Sequence, residues 1–373
     1  MTPNYESAKP QDHALEPSAR VHRRAPQTLV VCGLWLMAVC FAPAALADEV
    51  NDALTKQEDQ VEFALDKALI FLSRQQTEDG SFQASAFKTA VTSLCVMSFL
   101  AKGHTPGDGP YGDVINRGID YVLSQAAEDG QILGPNPGHG VMYVHTINTL
   151  MLSEISGMVD RERQEKVDRA LSRAMRIILI AQQVQKGDAR QQGGWRYTPQ
   201  SNDSDMSCSG WALMSMRSAR NNGAIVPKES IDKAVAYVIM SQHPNGLISY
   251  QPGGGGETTT QVGLLCLELC GRHRSAESLL AGDYVLKNLQ MTYGAGYFYY
   301  GLYYSAQGTF QLGGTYWESF AKYMYDMMLP KQNPDGSWQV GGGAEAGAGI
   351  CYSTAMSVLA LSVSCRQLPI YQR

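Results

Sequence analysis

The sequence predicts an all-α protein, six helical hairpins closed into an (α/α)6 barrel or toroid. Three observations carry this. One unit recurs six times: an amphipathic helix ending in Gln, a Gly-bearing turn often closed by an aromatic, then a more apolar helix. The second helices set small residues beside large apolar ones at helical spacing, which lets helices approach closely. No segment alternates with period two for long enough to propose a sheet.

The units follow in chain order. Gln76 leads to Gly80 and Phe82, Gln125 to Gly130 and Ile132, Gln182 to Gly193-Gly194-Trp195, Gln242 to Gly246 and Tyr250, Gln290 to Gly296-Tyr297, and Gln332 to Gly336 and Trp338. The Gln-to-Gln steps are 49, 57, 60, 48 and 42 residues. Glycine supplies the positive φ at which the first helix stops. The Gln amide satisfies free backbone groups at the helix end, and the aromatic covers it. The second helices carry Ser93-Leu94, Thr149-Leu150, Gly210-Trp211 and Gly263-Leu264, with Ala90, Thr146, Ser207 and Thr260 three positions earlier. The first helices are charged on one face, as in Asp160 to Lys166, and form the outer ring. An open solenoid needs a polar capping repeat. The last unit, Ser353 to Leu361, is as apolar as the rest, so the ring closes. It is expected to span about Gln60 to Ser364, with Leu368–Arg373 lying back across it.

Ahead of the ring, residues 1–47 read as a secretory signal. A basic stretch ends at Arg24, Leu29 to Leu46 is apolar, and Ala45-Leu46-Ala47 fits a cleavage site. The alternative is an uncleaved membrane anchor. Residues 48–59 read as a linker and 60–373 as the toroid domain, exported to the periplasm or outside the cell. The 373 residues are 44% apolar, which excludes wholesale disorder, and a net charge of −5 excludes nucleic-acid binding. Six cysteines follow the leader, and their apolar helical settings read as buried free thiols.

These residues resemble the prenyltransferase/squalene-cyclase repeat family, whose repeat is Gln-x3-Gly-x-Trp. Gln332-Asn-Pro-Asp-Gly-Ser-Trp338 and Gly193-Gly-Trp-Arg-Tyr-Thr-Pro199 are its most specific pieces. Gln311-Leu-Gly-Gly-Thr-Tyr-Trp317, Tyr352-Ser-Thr-Ala355 and Leu368-Pro-Ile-Tyr-Gln-Arg373 are similar to a secreted bacterial branch. The resemblance implies an α/α barrel with a central cavity. Cyclases of this family carry Asp-x-Asp-Asp-Thr, whose middle Asp protonates an alkene. Here the stretch is Asp203-Ser-Asp205-Met206-Ser207, so the acid position is kept and its neighbouring carboxylate is lost. The zinc prenyltransferases use Asp-x-Cys and a His. Ser207 and Ser353 stand in those places, and one remaining ligand does not hold zinc, so no metal and no cofactor is expected.

The inner-helix starts should share one mouth of the barrel. The candidate acid, base and partner groups there are Asp205, Asp203, Glu257 and His145. The candidate ligand-binding residues are Trp211, Tyr299, Tyr303, Gln307 and Tyr352. As alternatives, Asp203 or Asp205 caps a helix, Glu257 sits in a first turn and His145 is a packing residue. Three functions stay open. The first is an exported ligand-binding or scaffold protein with degenerate catalytic motifs, whose partner is an isoprenoid, another apolar ligand or an envelope protein. The second is a terpene cyclase- or prenyltransferase-like enzyme. The third is a carbohydrate-active α/α-barrel enzyme.

Overall fold

Six helices ring the axis of the domain and six more surround them. The computed structural model describes residues 42–372 except 139 and 257, with side chains from residue 57 onward. Two units separate, Met1–Leu54 and Thr55–Arg373. In the first, residues 42–54 are helical, and the rest of the leader lies outside the described residues. The 48–59 stretch, read as a linker, is helical, since it has no Gly or Pro and carries Ala, Leu, Glu, Gln and Lys.

Among the described residues there are twelve α-helices and no strand. The outer helices are α1 (Ala42–Arg74), α3 (Gly112–Ser124), α5 (Arg161–Gln183), α7 (Lys228–Met240), α9 (Ala276–Lys287) and α11 (Thr315–Met328). The inner helices are α2 (Lys88–Ala101), α4 (Val141–Glu154), α6 (Met206–Asn221), α8 (Thr259–Leu269), α10 (Phe298–Leu312) and α12 (Gly349–Leu361). Each inner helix packs on the next, and α12 returns to α2, so the ring is closed as expected. The inner helices are buried on nearly every face, whereas α3, α5 and α11 bury one stripe.

The repeat Gln is a circumferential staple. Gln76 Nε2 donates to the Gly80 carbonyl of its own turn (3.0 Å) and to the Val114 carbonyl of the next outer helix (2.8 Å). Gln182 does the same to Gly193 and Ser230, and Gln242 reaches Glu277. Gln332 bonds Gly336 (3.0 Å) and Ala64 on α1 (2.7 Å), tying the last outer helix to the first. The turn glycines press on the same neighbours one helical turn further along, Gly80 on Arg117, Gly193 on Lys233 and Gly336 on Lys67. The expected aromatic cover is also an end-cap. Trp195 Nε1 donates to Ile178 O (2.8 Å) and Trp338 Nε1 to Met328 O (3.0 Å), each four residues before its Gln.

Two turns depart from this pattern. The Gln125 amide bonds Ser124, and a bidentate Arg163–Asp120 pair (2.9 and 2.8 Å) joins α3 to α5 instead. At the fifth turn Gln290 makes no staple, and the Tyr323 hydroxyl of α11 accepts from the Met291 amide (2.9 Å).

Candidate ligand site at the inner-helix mouth

Asp205 is the N-cap of α6, held by local geometry. Its amide donates to Trp195 O (2.8 Å), and the following Met206 amide donates to Tyr250 O (2.8 Å). Its Oδ1 accepts the Cys208 amide (2.8 Å), so the capping alternative describes one carboxylate oxygen. The other oxygen, Oδ2, is buried without a hydrogen-bond partner and lies 3.7 Å from Arg196 Nε, itself unpartnered. Burial lifts the carboxyl to about 6, against the pull of the Cys208 amide, Tyr250 and Arg196.

Around this carboxyl the mouth is aromatic. The Arg196 guanidinium lies over the rings of Tyr197 (4.9 Å) and Tyr250 (5.9 Å), whose hydroxyls bond each other at 2.7 Å. Asp203 pairs with Arg196 at the rim, part-exposed. Tyr143 of α4 and Tyr300 of α10 both approach Ser207, at the start of α6. Since α4 and α10 are three places apart in a ring of six, these side chains meet across the axis.

The opposite rim is built by a residue the sequence reading missed. Glu345, buried in the turn before α12, accepts the Tyr299 (3.3 Å) and Tyr300 (2.9 Å) amides at the start of α10 and the Tyr352 hydroxyl (3.0 Å). Burial raises its carboxyl above the usual range despite these donors. Deeper in, Trp211 stacks on Tyr303 (5.7 Å) and meets Tyr304 edge-on (5.5 Å). Gln307 donates to Leu359 O (2.9 Å). Tyr300 Oη, Tyr304 Oη, Ser305 Oγ and Gln307 Oε1 are all buried without partners.

The sequence-predicted residues thus divide. Asp203 and Asp205 converge on Arg196, Trp211 and Tyr303 on each other, and Tyr352 on Glu345. Tyr299 turns its hydroxyl to Gln339 O (2.6 Å) in the sixth turn, so it is a wall residue. His145 is not an acid–base partner. Its Nδ1 accepts the Ile132 amide (3.2 Å), its Nε2 meets Ala174 O (3.1 Å), and burial pushes its pKa down to about 4, keeping it neutral. It does the work that Thr92, Ser209, Thr260 and Thr354 do in other units, holding the amide of the turn residue. Ser353 likewise holds the Gly341 amide (3.1 Å). Glu257 lies outside the described residues. Arg196, Tyr143, Tyr197, Tyr250 and Glu345 were missed. The available signal was Arg196-Tyr197, a charge and a phenol directly after a fully buried Trp.

Solved structures share this architecture. A variant of the type II terpene cyclase MstE from Scytonema with merosterolic acid A, its product, superposes with TM-score 0.53 and 15% identity, over 84% of this chain and 100% of that one. Another MstE variant, with geranylgeranyl dihydroxybenzoate as substrate, gives 0.52 and 14% over the same shares. A glycosidase with glucose gives 0.52 and 11% over 82% and 97%. At these identities the likeness is one of fold, the α/α toroid. No protein-family model and no curated protein matches the sequence.

Proposed function

We propose that this chain is an exported ligand-binding toroid that takes an isoprenoid, or another apolar ligand with a polar head, at the inner-helix mouth. One observation carries the reading. Asp205 Oδ2 and Arg196 Nε face each other at 3.7 Å with no hydrogen bond on either atom, Tyr300 Oη lies buried near Ser207 without a well-formed one, and buried polar atoms so loosely paired suit the polar head of a ligand. Aromatic faces below them suit an unsaturated chain. The similarity of fold to a cyclase that holds geranylgeranyl dihydroxybenzoate supports the ligand class. Turnover is disfavoured, because alkene protonation needs an acid held protonated. Arg196, 3.7 Å away, pulls the Asp205 carboxyl back toward its ionised form, and Met206 replaces the second carboxylate. The cyclase-like reading keeps one observation in its favour, an Oδ2 that takes no hydrogen bond on an upward-shifted carboxyl.

Geranylgeranyl dihydroxybenzoate is the probe that separates the readings, with equilibrium binding and product analysis on the native chain and on Asp205→Asn. Saturable binding without conversion is expected, weakened about tenfold in the variant, which is about 1.4 kcal/mol. Conversion that disappears in Asp205→Asn would establish the cyclase reading, and no binding at all would overturn both. The variant keeps a capping acceptor, so stability should change by less than about 1 kcal/mol at low pH. Because the folded carboxyl is raised, the native chain has its full stability below about 4 and loses part of it as pH rises through about 6. Asp205→Asn should abolish that slope in a melting series.

A further inference from the structure

The end of the barrel opposite the mouth holds a piece of the chain itself. Leu368–Tyr371, containing a short 3-10 turn at Pro369–Tyr371, packs on α6 and is buried at Leu368, Ile370 and Tyr371. Three side chains, from α4 and α10, hold it. Glu154, the last residue of α4, accepts the Ile370 amide through Oε2 (3.1 Å). Gln311 of α10 donates to the Tyr371 carbonyl (3.5 Å). The Tyr371 hydroxyl bonds that of Tyr303, whose ring stacks on Trp211. A backbone amide, a backbone carbonyl and a phenol are therefore each held by a side chain from the inner ring, contacts that a separate peptide of the same sequence would make equally.

Glu154 is the unusual member. It is fully buried, and its other oxygen accepts from Ser218 of α6. The titratable groups that face it are Tyr303 from α10 and Tyr371 from the bound segment. Ser153 and Asn222 are joined beside it, and no cation acts on it. A buried carboxylate without a counter-charge is costly, and the peptide amide and the Ser218 hydroxyl only partly offset that.

We propose that this end of the barrel is a peptide-binding site for an apolar segment ending in tyrosine, that it is filled in cis by Leu368–Tyr371, and that Glu154 releases the segment when it loses its proton. Burial holds the Glu154 carboxyl up at about 7. Opening admits water to the ionised group, so the seated form is favoured at low pH and weakens as pH rises through 7.

Hydrogen exchange over residues 366–372 of the whole chain tests the release. After correction for intrinsic rates, opening should increase about tenfold from pH 6 to 8, the limit for one group titrating at 7. In Glu154→Gln, which keeps an acceptor for the Ile370 amide, it should stay flat. An identical pH course in both chains overturns the release. The site itself is tested by adding the pentapeptide Leu-Pro-Ile-Tyr-Gln to Tyr371→Ala. Saturable binding, at least tenfold tighter than to the native chain with its site filled, is expected. No binding to a Tyr371→Ala chain that melts cooperatively overturns the site, and this arm stands even where Glu154→Gln fails to fold.

Discussion

Gly336→Ala is expected to destabilise the toroid by about 3–5 kcal/mol, several times what a glycine substitution usually costs. Gly336 sits at φ +97°, where a side chain alone costs about 1–2 kcal/mol. A Cβ there would also lie 2.6 Å from the Lys67 carbonyl carbon and closer still to its oxygen. The obstacle is backbone of α1, which cannot rotate away as a flexible side chain would. Moving α1 outward breaks the Gln332–Ala64 bond, the contact that spans 268 residues and closes the outer ring. Gly157 is the matched control. Its φ is +86°, but nothing lies within 4 Å of its added Cβ, so Gly157→Ala should cost only the conformational part, about 1 kcal/mol. Thermal melting of the two variants separates strain from collision. A Gly336→Ala chain no less stable than Gly157→Ala would show that the turn does not clamp the ring.

This clamp also explains what the sequence made legible. A Gln, a Gly four residues on and a Trp two beyond it form a local pattern, because all three serve one turn. Their shared partner, the next outer helix, is fixed by the period of the repeat. Fold and closure therefore followed from residues such as Gln332, Gly336 and Trp338. The staples at the Gln125 and Gln290 turns did not, because their replacements depend on Arg163 of α5 and Tyr323 of α11, which sit on the next outer helix at no fixed spacing.

The site was less legible for the same reason. Asp205 stood out because the stretch Asp203-Ser-Asp205 that carries the resemblance is contiguous, and its capping alternative was visible because a cap lies next to the helix it caps. His145 looked like chemistry because the turns before the inner helices differ in length. The residue pairs Phe82–Thr92, Ile132–His145 and Trp195–Ser209 lie 10, 13 and 14 positions apart, so its equivalence to a threonine was hidden. Arg196 works through its own loop, on Tyr197, Asp203 and Asp205, at spacings that match no repeat, and Glu345 reaches back 45 residues to Tyr300 in the preceding unit, a contact with no local signature.

Glu345→Ala is expected to be the most damaging change at the mouth, at about 3–5 kcal/mol. Removing the side chain strands three donors at once, the Tyr299 and Tyr300 amides and the Tyr352 hydroxyl, and a buried donor left unpaired costs about 1–3 kcal/mol. Helix α10 would lose its cap from the next unit, and Tyr300 and Tyr352 would lose the group that orients them. Gly341→Ala provides an independent approach to the same carboxylate. Its Cβ would fall 2.6 Å from Glu345 Oε2 and 2.8 Å from Glu345 Cβ, pushing the cap off its seat without deleting it. Glu345→Gln keeps one acceptor and turns an amide group toward the α10 donors, so it should fall between native and Ala. The pH course distinguishes a lost cap from a lost charge. With its folded carboxyl raised, native Glu345 contributes stability at low pH that is lost as the group ionises, and Glu345→Gln should remove that part of the slope. Probe binding should weaken in Glu345→Ala and Gly341→Ala together, because both release Tyr300 and Tyr352. If Gly341→Ala melts like the native chain and binds the probe unchanged, Glu345 is not the support on which this rim is built.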